Sequence, residues 1–171
     1  MSWWCNQTGN GQDARISFFN LDLSGKSFLD LFSGSGTIAI EAVSRGAAHV
    51  ELCEKDKIKV NTVLENVAIT ETDCNVKIQC HFMPVEYFIK RCKTSFDYIF
   101  FDPPFPYKFH EQLVEQADKN GLLNKTGTIL VHRPEEHKMP DKIGSLIRSD
   151  QRVYGRSIVD FYTYPAPTTE K

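Results

Sequence analysis

The sequence predicts one α/β domain with a mostly parallel, seven-stranded sheet of the Rossmann-like type and helices on both faces. Three observations lead to this class. Short apolar runs alternate with amphipathic stretches from residue 27 onward, and a glycine-rich turn joins the first run to the first helix. The chain of 171 residues, 41% of them hydrophobic, is also long enough to bury one core.

The predicted elements follow this alternation in order. Strands at 28–32, 49–53 and 76–80 each precede a helical stretch, at 38–45, 58–67 and 85–91. A fourth strand at 96–101 stops before Pro103, a helix at 109–120 ends before Gly121, and a fifth strand follows at 128–132. Strands at 147–154 and 157–164 meet at Gly155 without a helix between them, so the sheet is expected to end in an antiparallel hairpin.

Composition sets the expected organisation and location. Residues 1–14 show no periodicity and predict a flexible arm, residues 15–164 form the domain, and residues 165–171 form a tail. The chain contains no run of about 18 apolar residues and does not begin with a signal peptide, so a cytoplasmic protein without a membrane partner is expected. Five cysteines without a CxxC pair predict neither disulfides nor a metal site. The expected oligomeric state is a monomer.

The net charge of −2 argues against binding to nucleic acid through bulk electrostatics. Such binding requires many phosphate contacts from lysine and arginine. If the substrate is RNA, its recognition is therefore expected to be local.

The glycine turn predicts a nucleotide-like ligand. Gly34 and Gly36 separate a strand from a helix, where backbone amides can approach an anionic group. Glu54 ends the second strand and is placed to accept hydrogen bonds from a ribose. With Ala39 the glycines also match the pattern of a dinucleotide site, but Asp30 lies four residues before Gly34 and suits the cationic amino group of a methionine moiety. S-adenosylmethionine is favoured over a dinucleotide or a turn without a ligand.

A second turn, Asp102-Pro103-Pro104-Phe105, follows the fourth strand. In a doubly wound sheet this position lies beside the end of the first strand, at the ligand crevice. Two prolines hold the backbone in an extended conformation, and Phe105 offers a flat face for an extruded base. These residues predict a site that binds an exocyclic amino nitrogen, which then accepts a methyl group. The alternative is a simple turn that ends the strand, with Phe105 in the core.

The carboxylate at Asp102 favours guanine as the target base. Guanine presents two adjacent donors, N1–H and the N2 amine, and an ionised carboxylate only accepts. Adenine presents an amine beside an acceptor nitrogen, which a carboxylate repels. The predicted reaction is methylation of guanine N2.

Together, the stretch from Asp30 to Ala47, the strand end Glu54-Lys55-Asp56 and the turn Asp102 to Phe105 resemble the RsmD family. The resemblance covers residues 15–164 and implies a class I methyltransferase that modifies guanine N2 in 16S rRNA, with 16S rRNA or the small ribosomal subunit as partner. It implies that Asp102, Pro103, Pro104 and Phe105 hold the base. It also implies cofactor contacts from the glycine turn and the strand ends, namely Asp30, Phe32, Gly34, Ser35, Gly36, Thr37, Glu54 and Lys55. After the third strand the family usually carries an Asp that contacts the adenine amine, and here Phe82 or Met83 is expected to pack against adenine instead.

Several alternatives remain open at this level. An N6-adenine methyltransferase acting on DNA or RNA shares the chemistry, and an inactive binding module with a shortened substrate arm shares the fold. Phe82 and Met83 fit either an adenine contact or the core. His132 and Arg133 follow the fifth strand on the ligand side, where a minor role in substrate contact is expected.

Overall fold

The computed structural model describes residues 20–167. The predicted arm at 1–14 lies outside the described residues, and of the predicted tail only residues 165–167 lie within them, where they are exposed. None of the helices in this described part is long and apolar enough to cross a lipid bilayer.

The described chain alternates strands and helices up to β5 and then continues in strands alone. The strands are β1 Ser27–Leu31, β2 His49–Cys53, β3 Ile78–His81, β4 Phe96–Phe101, β5 Leu123–Pro134, β6 Lys142–Ile143, β7 Leu146–Tyr154 and β8 Ser157–Thr163. The helices are α1 Thr37–Ser44, α2 Val60–Cys74, α3 Val85–Arg91 and α4 His110–Lys119, and a 3-10 turn at Lys57–Lys59 leads into α2.

The strands form one sheet in the order β3-β2-β1-β4-β5-β8-β7-β6. The five strands from β3 to β5 run parallel, and β8, β7 and β6 add antiparallel pairs. The predicted Rossmann-like class with its antiparallel final hairpin is confirmed. One strand exceeds the expected seven, because the two-residue β6 pairs with β7 at the edge of the sheet.

The core lies in two layers, one on each face of the sheet. Leu29 and Leu31 of β1 point into the layer that contains α3 and α4, whereas Phe28 points into the layer that contains α1 and α2. This follows from the alternation of side chains along a strand. Because parallel strands are buried on both faces, they read as continuous apolar runs, which is why the sequence predicts β1, β2 and β4 well.

Two elements extend beyond their predicted ranges. Helix α2 continues to Cys74 instead of ending at residue 67, and Thr70 is the one buried side chain of its added part. Strand β5 begins at Leu123 instead of residue 128, and its added residues include the exposed Lys125 and Thr126. In both cases the extra residues carry no apolar periodicity that would reveal them in the sequence.

The connections create a crevice at one edge of the sheet. From β1 the chain winds outward through β2 to β3, and β4 then returns to the other side of β1. At such a reversal the loops after the two central strands separate and leave room for a ligand. The residues that follow β1 and β4 therefore border one crevice.

Candidate functional site

The turn after β1 has an unusual backbone with several left-handed residues. Phe32, Gly34 and Gly36 all have positive φ, at 63°, 61° and 83°. A side chain on Gly34 would have strained backbone angles but no atom within 4 Å, so open space lies above this residue. The turn is closed by the Gly36 amide, which donates to the Ser33 carbonyl at 3.0 Å. A ligand can thus approach the backbone here without displacing a side chain.

Asp30 is buried beneath this turn, with 1% of its surface exposed. Its Oδ2 accepts a hydrogen bond from the Ala39 amide in the first turn of α1, at 3.2 Å. A carboxylate at this position is stabilised by the positive end of the helix dipole. The result is a buried carboxyl group held at the junction of β1 and α1.

Glu54 joins the end of β2 to the glycine turn. Its carboxylate is 7% exposed and accepts from the Gly34 amide at 2.7 Å and from the Asp56 amide at 2.8 Å. These two bonds hold the carboxylate at the crevice edge while leaving further lone pairs on its oxygens.

The other predicted cofactor residues follow the carboxyl ends of β1, β2 and β3. Ser35 and Thr37 are exposed and their hydroxyl oxygens lie 2.8 Å apart, and Lys55 is exposed. Phe82 and Met83 are half-buried and pack against opposite core layers. The structure brings Asp30, Glu54 and the glycine turn together, whereas Phe82 and Met83 have the burial of core-edge residues.

These residues fit S-adenosylmethionine in charge and shape. The buried Asp30 carboxylate complements a cationic amino group, the open side of Gly34 admits a ligand, and the Glu54 carboxylate can accept from ribose hydroxyls. Among residues 20–167 no group of three histidine, cysteine or acidic side chains could hold a metal ion.

The turn after β4 continues the sheet for one residue and then leaves it. Phe101 pairs with Leu31 of β1, and the Asp102 amide lies 3.5 Å from the Leu31 carbonyl. The Pro104 carbonyl accepts from the Tyr107 amide at 2.9 Å and closes a bend. That bend leaves Phe105 80% exposed. The Asp102-to-Phe105 turn therefore borders the same crevice as the glycine turn and presents an aromatic face to solvent.

A cavity of about 460 Å³ opens beside Asp102. This volume lies in the range of about 300–1,000 Å³ typical of small-molecule sites. Asp102, Pro103, Pro104 and Phe105 form one wall, and the other walls consist of His110, His132, Arg133, Pro134, Glu136, Arg156 and Ser157.

His132 contacts the acceptor turn directly. Its Nδ1 lies 2.7 Å from Oδ1 of Asp102, and both side chains are half-buried. The contact arises because β5 runs parallel to β4 with Val131 opposite Phe101, so that the next residue of each strand emerges side by side. The sequence places His132 on the ligand side but does not reveal this partner, since strand register is not visible in one sequence.

His110 lies behind this cavity at the start of α4, with 3% of its surface exposed. Burial, together with the neighbouring His137, Arg133 and His132, lowers its pKa to about 4. Its Nδ1 has no hydrogen-bond partner among the described residues. The imidazole is therefore neutral at physiological pH. Sequence reasoning missed it, because spacing shows no partner for a histidine that packs in three dimensions.

Arg133 and Arg156 differ in their surroundings although both line the cavity. The Arg133 side chain is buried and its Nε donates to Asp160 at 2.5 Å, while Arg156 is exposed and forms ion pairs with Glu135 and Glu136. Arg133 therefore lies at the buried side of the cavity, and Arg156 lies at its solvent-exposed edge. Arg156 can be read from the sequence, but its pairing with Glu135 and Glu136, which follow β5, cannot.

The comparisons with known proteins assign the chain to a family. The family described as "Conserved hypothetical protein 95" matches residues 11–163. The chain belongs to this family. Two curated relatives identify it as the RsmD family of the sequence resemblance: the rRNA methyltransferase candidate YlbH of Bacillus subtilis and ribosomal RNA small subunit methyltransferase D of Escherichia coli. The predicted family is therefore confirmed.

The alignments differ in extent. YlbH is 29% identical over 135 residues, which cover 78% of this chain and 73% of the relative. The Escherichia coli protein is 30% identical over 112 residues, which cover 66% of this chain but 55% of the relative. A solved structure of a conserved hypothetical protein from Streptococcus pyogenes superposes with a TM-score of 0.81 at 29% identity, over 88% of this chain and 95% of that one.

The RsmD family assignment and the fold confirm the predicted class of enzyme. The chain is an RNA methyltransferase with S-adenosylmethionine as methyl donor. Within the described structure, the geometry of the glycine turn suits S-adenosylmethionine, and that of the Asp102-to-Phe105 turn suits an RNA base.

Proposed function

We propose that this chain transfers the methyl group of S-adenosylmethionine to the exocyclic N2 of a guanine in 16S rRNA. The observation that carries the proposal is the pairing of Phe101 with Leu31, since it brings the residues that follow β4 beside those that follow β1. The names of the curated relatives support rRNA as the substrate class. The choice of guanine N2 rests on the carboxylate of Asp102.

On the cofactor side, the chain binds and orients. Asp30 would hold the amino group of the methionine moiety, Glu54 would hold the ribose, and the open side of the Gly34–Gly36 turn would receive the carboxylate. Phe32, Ser35, Thr37, Lys55, Phe82 and Met83 would complete the contacts around these groups. When bound, S-adenosylmethionine supplies a methyl group on a positively charged sulfur, which an amine can attack without an added acid.

On the substrate side, Asp102 accepts hydrogen bonds from the guanine edge and the prolines keep the acceptor rigid. Hydrogen bonds to the N2 amine from one side favour pyramidalisation of its nitrogen, so its lone pair becomes available. Phe105 stacks on the extruded base. The nitrogen–carbon bond would form as the carbon–sulfur bond breaks, which leaves a neutral thioether, and the proton lost from the amine would pass to solvent after the transfer. No strong general base is then needed, and alignment supplies much of the rate.

We further propose that the substrate is presented on the small ribosomal subunit and that the enzyme acts as a monomer. With a net charge of −2, the chain lacks the excess of cations that free RNA binding requires. An assembled subunit presents a preformed RNA surface, so fewer phosphate contacts suffice.

Labelled methyl transfer tests the proposal. The protein is incubated with tritiated S-adenosylmethionine and either naked 16S rRNA or small subunits that lack the modification, and the RNA is digested to nucleosides. We expect label in N2-methylguanosine, with the subunit as the better substrate. Label in N6-methyladenosine would refute the base assignment, and cofactor binding without transfer to either substrate would favour an inactive module.

An Asp102→Asn variant tests the reason for choosing guanine. Asparagine replaces one acceptor oxygen by a donor and so places a donor opposite a donor of the guanine edge. Transfer to guanine is expected to fall about 100-fold. Parental transfer by this variant would contradict the bidentate recognition of guanine.

A further inference from the structure

His132 and Asp102 form a pair at the ends of two neighbouring strands. Their Nδ1 and Oδ1 atoms lie 2.7 Å apart, and both residues line the 460 Å³ cavity. An ionised carboxylate has no hydrogen to donate, so the contact requires the hydrogen to be on Nδ1 of the imidazole. The pair therefore selects one tautomer of His132.

We propose that His132 is a positioning residue that holds the Asp102 carboxylate in the orientation that receives the target amine. The terminal torsion of an aspartate is soft and populates a broad range of angles. Pro103 restrains the backbone of Asp102 but not this torsion. A hydrogen bond at Oδ1 from a half-buried imidazole on the neighbouring strand restrains it instead.

This arrangement leaves the carboxylate competent for substrate. A carboxylate has about four lone-pair sites, so one bond from His132 leaves acceptors for two adjacent donors of a base. The inference rests on the proposed function, because it assigns Asp102 the role of contacting the amine.

Three variants separate positioning from a general loss of structure. His132→Leu removes the donor, and His132→Asn restores one, since its amide nitrogen is reached through the same number of bonds as Nδ1. His49→Leu is the matched control, because His49 contacts the Glu51 carboxylate at 2.8 Å at the opposite end of the sheet. Each variant is assayed for kcat, KM and the Kd of S-adenosylmethionine.

We expect His132→Leu to lower kcat about 100-fold, in line with the cost of a misplacement of about 1 Å at a reacting centre. The Kd of the cofactor should remain parental in all three variants. His132→Asn should recover most of the loss, and His49→Leu should retain the parental kcat. A parental kcat in His132→Leu, or no recovery in His132→Asn, would overturn the inference.

A measurement without turnover tests the same pair. Nitrogen-15 NMR of the imidazoles at pH 9, above the ordinary histidine pKa of about 6.5, reports which ring nitrogen carries the hydrogen. We expect the Nδ1–H tautomer for His132 in the parent and its loss in Asp102→Ala. An Nε2–H tautomer in the parent would refute the inference even if the enzyme shows no activity.

The two proposals fail in different ways. Label in adenine, or no transfer by the parent, contradicts the proposed function while the tautomer of His132 still decides the inference. N2-methylguanosine from both the parent and His132→Leu at equal rates supports the proposed function and removes His132 from it.

Discussion

The two turns that border the crevice are constructed differently. After β1, the polar groups of the glycine turn are satisfied by nearby backbone: Asp30 accepts from Ala39, and Glu54 accepts from Gly34. After β4, Asp102 contacts a side chain thirty residues away, His132, and Phe105 is 80% exposed. The acidic side chains of the first turn are buried and bonded to backbone amides, whereas the second turn is held by a distant side chain and carries a solvent-exposed ring.

This difference corresponds to what each turn would bind. A small cofactor needs a site that is formed in advance, and backbone bonds provide it at little entropic cost on binding. A base extruded from a large RNA must enter from solvent, so its site has to stay accessible. The comparison predicts that changes at the first turn affect cofactor affinity, whereas changes at the second affect the rate and the use of RNA.

Asp102→Ala is the change that separates the two turns most strongly. It removes the acceptor for the target amine, so kcat should fall about 1,000-fold, the upper range for loss of one transition-state hydrogen-bonding group. The Kd of S-adenosylmethionine, measured by calorimetry, should stay parental. Asp97→Ala is the control on the same strand, since Asp97 bonds to Ser27 and Asn124 at the opposite end. It should lower stability but retain kcat. An equal loss of cofactor affinity in Asp102→Ala would abolish the distinction between the turns.

Asp30→Asn probes the first turn in the complementary way. Asparagine can still accept from the Ala39 amide, so the fold is kept, but the negative charge is lost. A hydrogen bond to a charged group contributes about 1.5–3 kcal/mol, so the Kd of S-adenosylmethionine should rise about 100-fold. With saturating cofactor, kcat should approach the parental value. The exposed Asp73 on α2 gives a matched loss of charge as Asp73→Asn, with no expected change in Kd. Parental affinity in Asp30→Asn would exclude its contact with the amino group.

The same contrast explains how much the sequence predicts. The first turn lies within twelve consecutive residues, Asp30 to Glu41. Its two glycines indicate the positive φ angles that the structure shows at Gly34 and Gly36. The ranges of β2 and β4 coincide with those predicted, because a strand buried on both faces is a continuous apolar run.

The second turn is visible only in part. Asp102 to Phe105 can be read from the sequence, but His132 and His110 join it through the register of β4 with β5 and through the packing of α4. That register shifts between Phe96 and Tyr98, so a count of residues does not give it. Strand β6 is missed for another reason, since two residues have no periodicity.

Acidification should lower the free energy of unfolding through His110, which lines the cavity beside Asp102. Its folded-state pKa of about 4 lies below the ordinary 6.5, so between these values the unfolded chain binds a proton that the folded chain excludes. The free energy of unfolding therefore falls as the pH falls. His110 should account for about 2 kcal/mol of the loss between pH 7 and pH 5, at 1.36 kcal/mol per unit.

Urea unfolding of the parent and of His110→Leu at pH 7, 6 and 5 measures this contribution. The variant should lose about 2 kcal/mol less than the parent over this interval. Equal pH dependence in the two proteins would show that His110 is not held neutral by its surroundings.

Phe105→Ala should have the smallest effect and the most selective one. The ring is 80% exposed, so its removal should change the free energy of unfolding by less than about 0.5 kcal/mol. Stacking of a base on an aromatic ring contributes about 1–3 kcal/mol, so KM for RNA should rise about 10-fold while the Kd of the cofactor is unchanged. Phe109→Ala is the matched control, because Phe109 is 59% exposed at the start of α4 and is not among the residues that line the cavity. If both variants raise KM equally, the aromatic residues form a general RNA-contacting surface. A rise in Phe105→Ala alone assigns the stacked base to the turn beside Asp102, where the open construction of this side gives it room to enter.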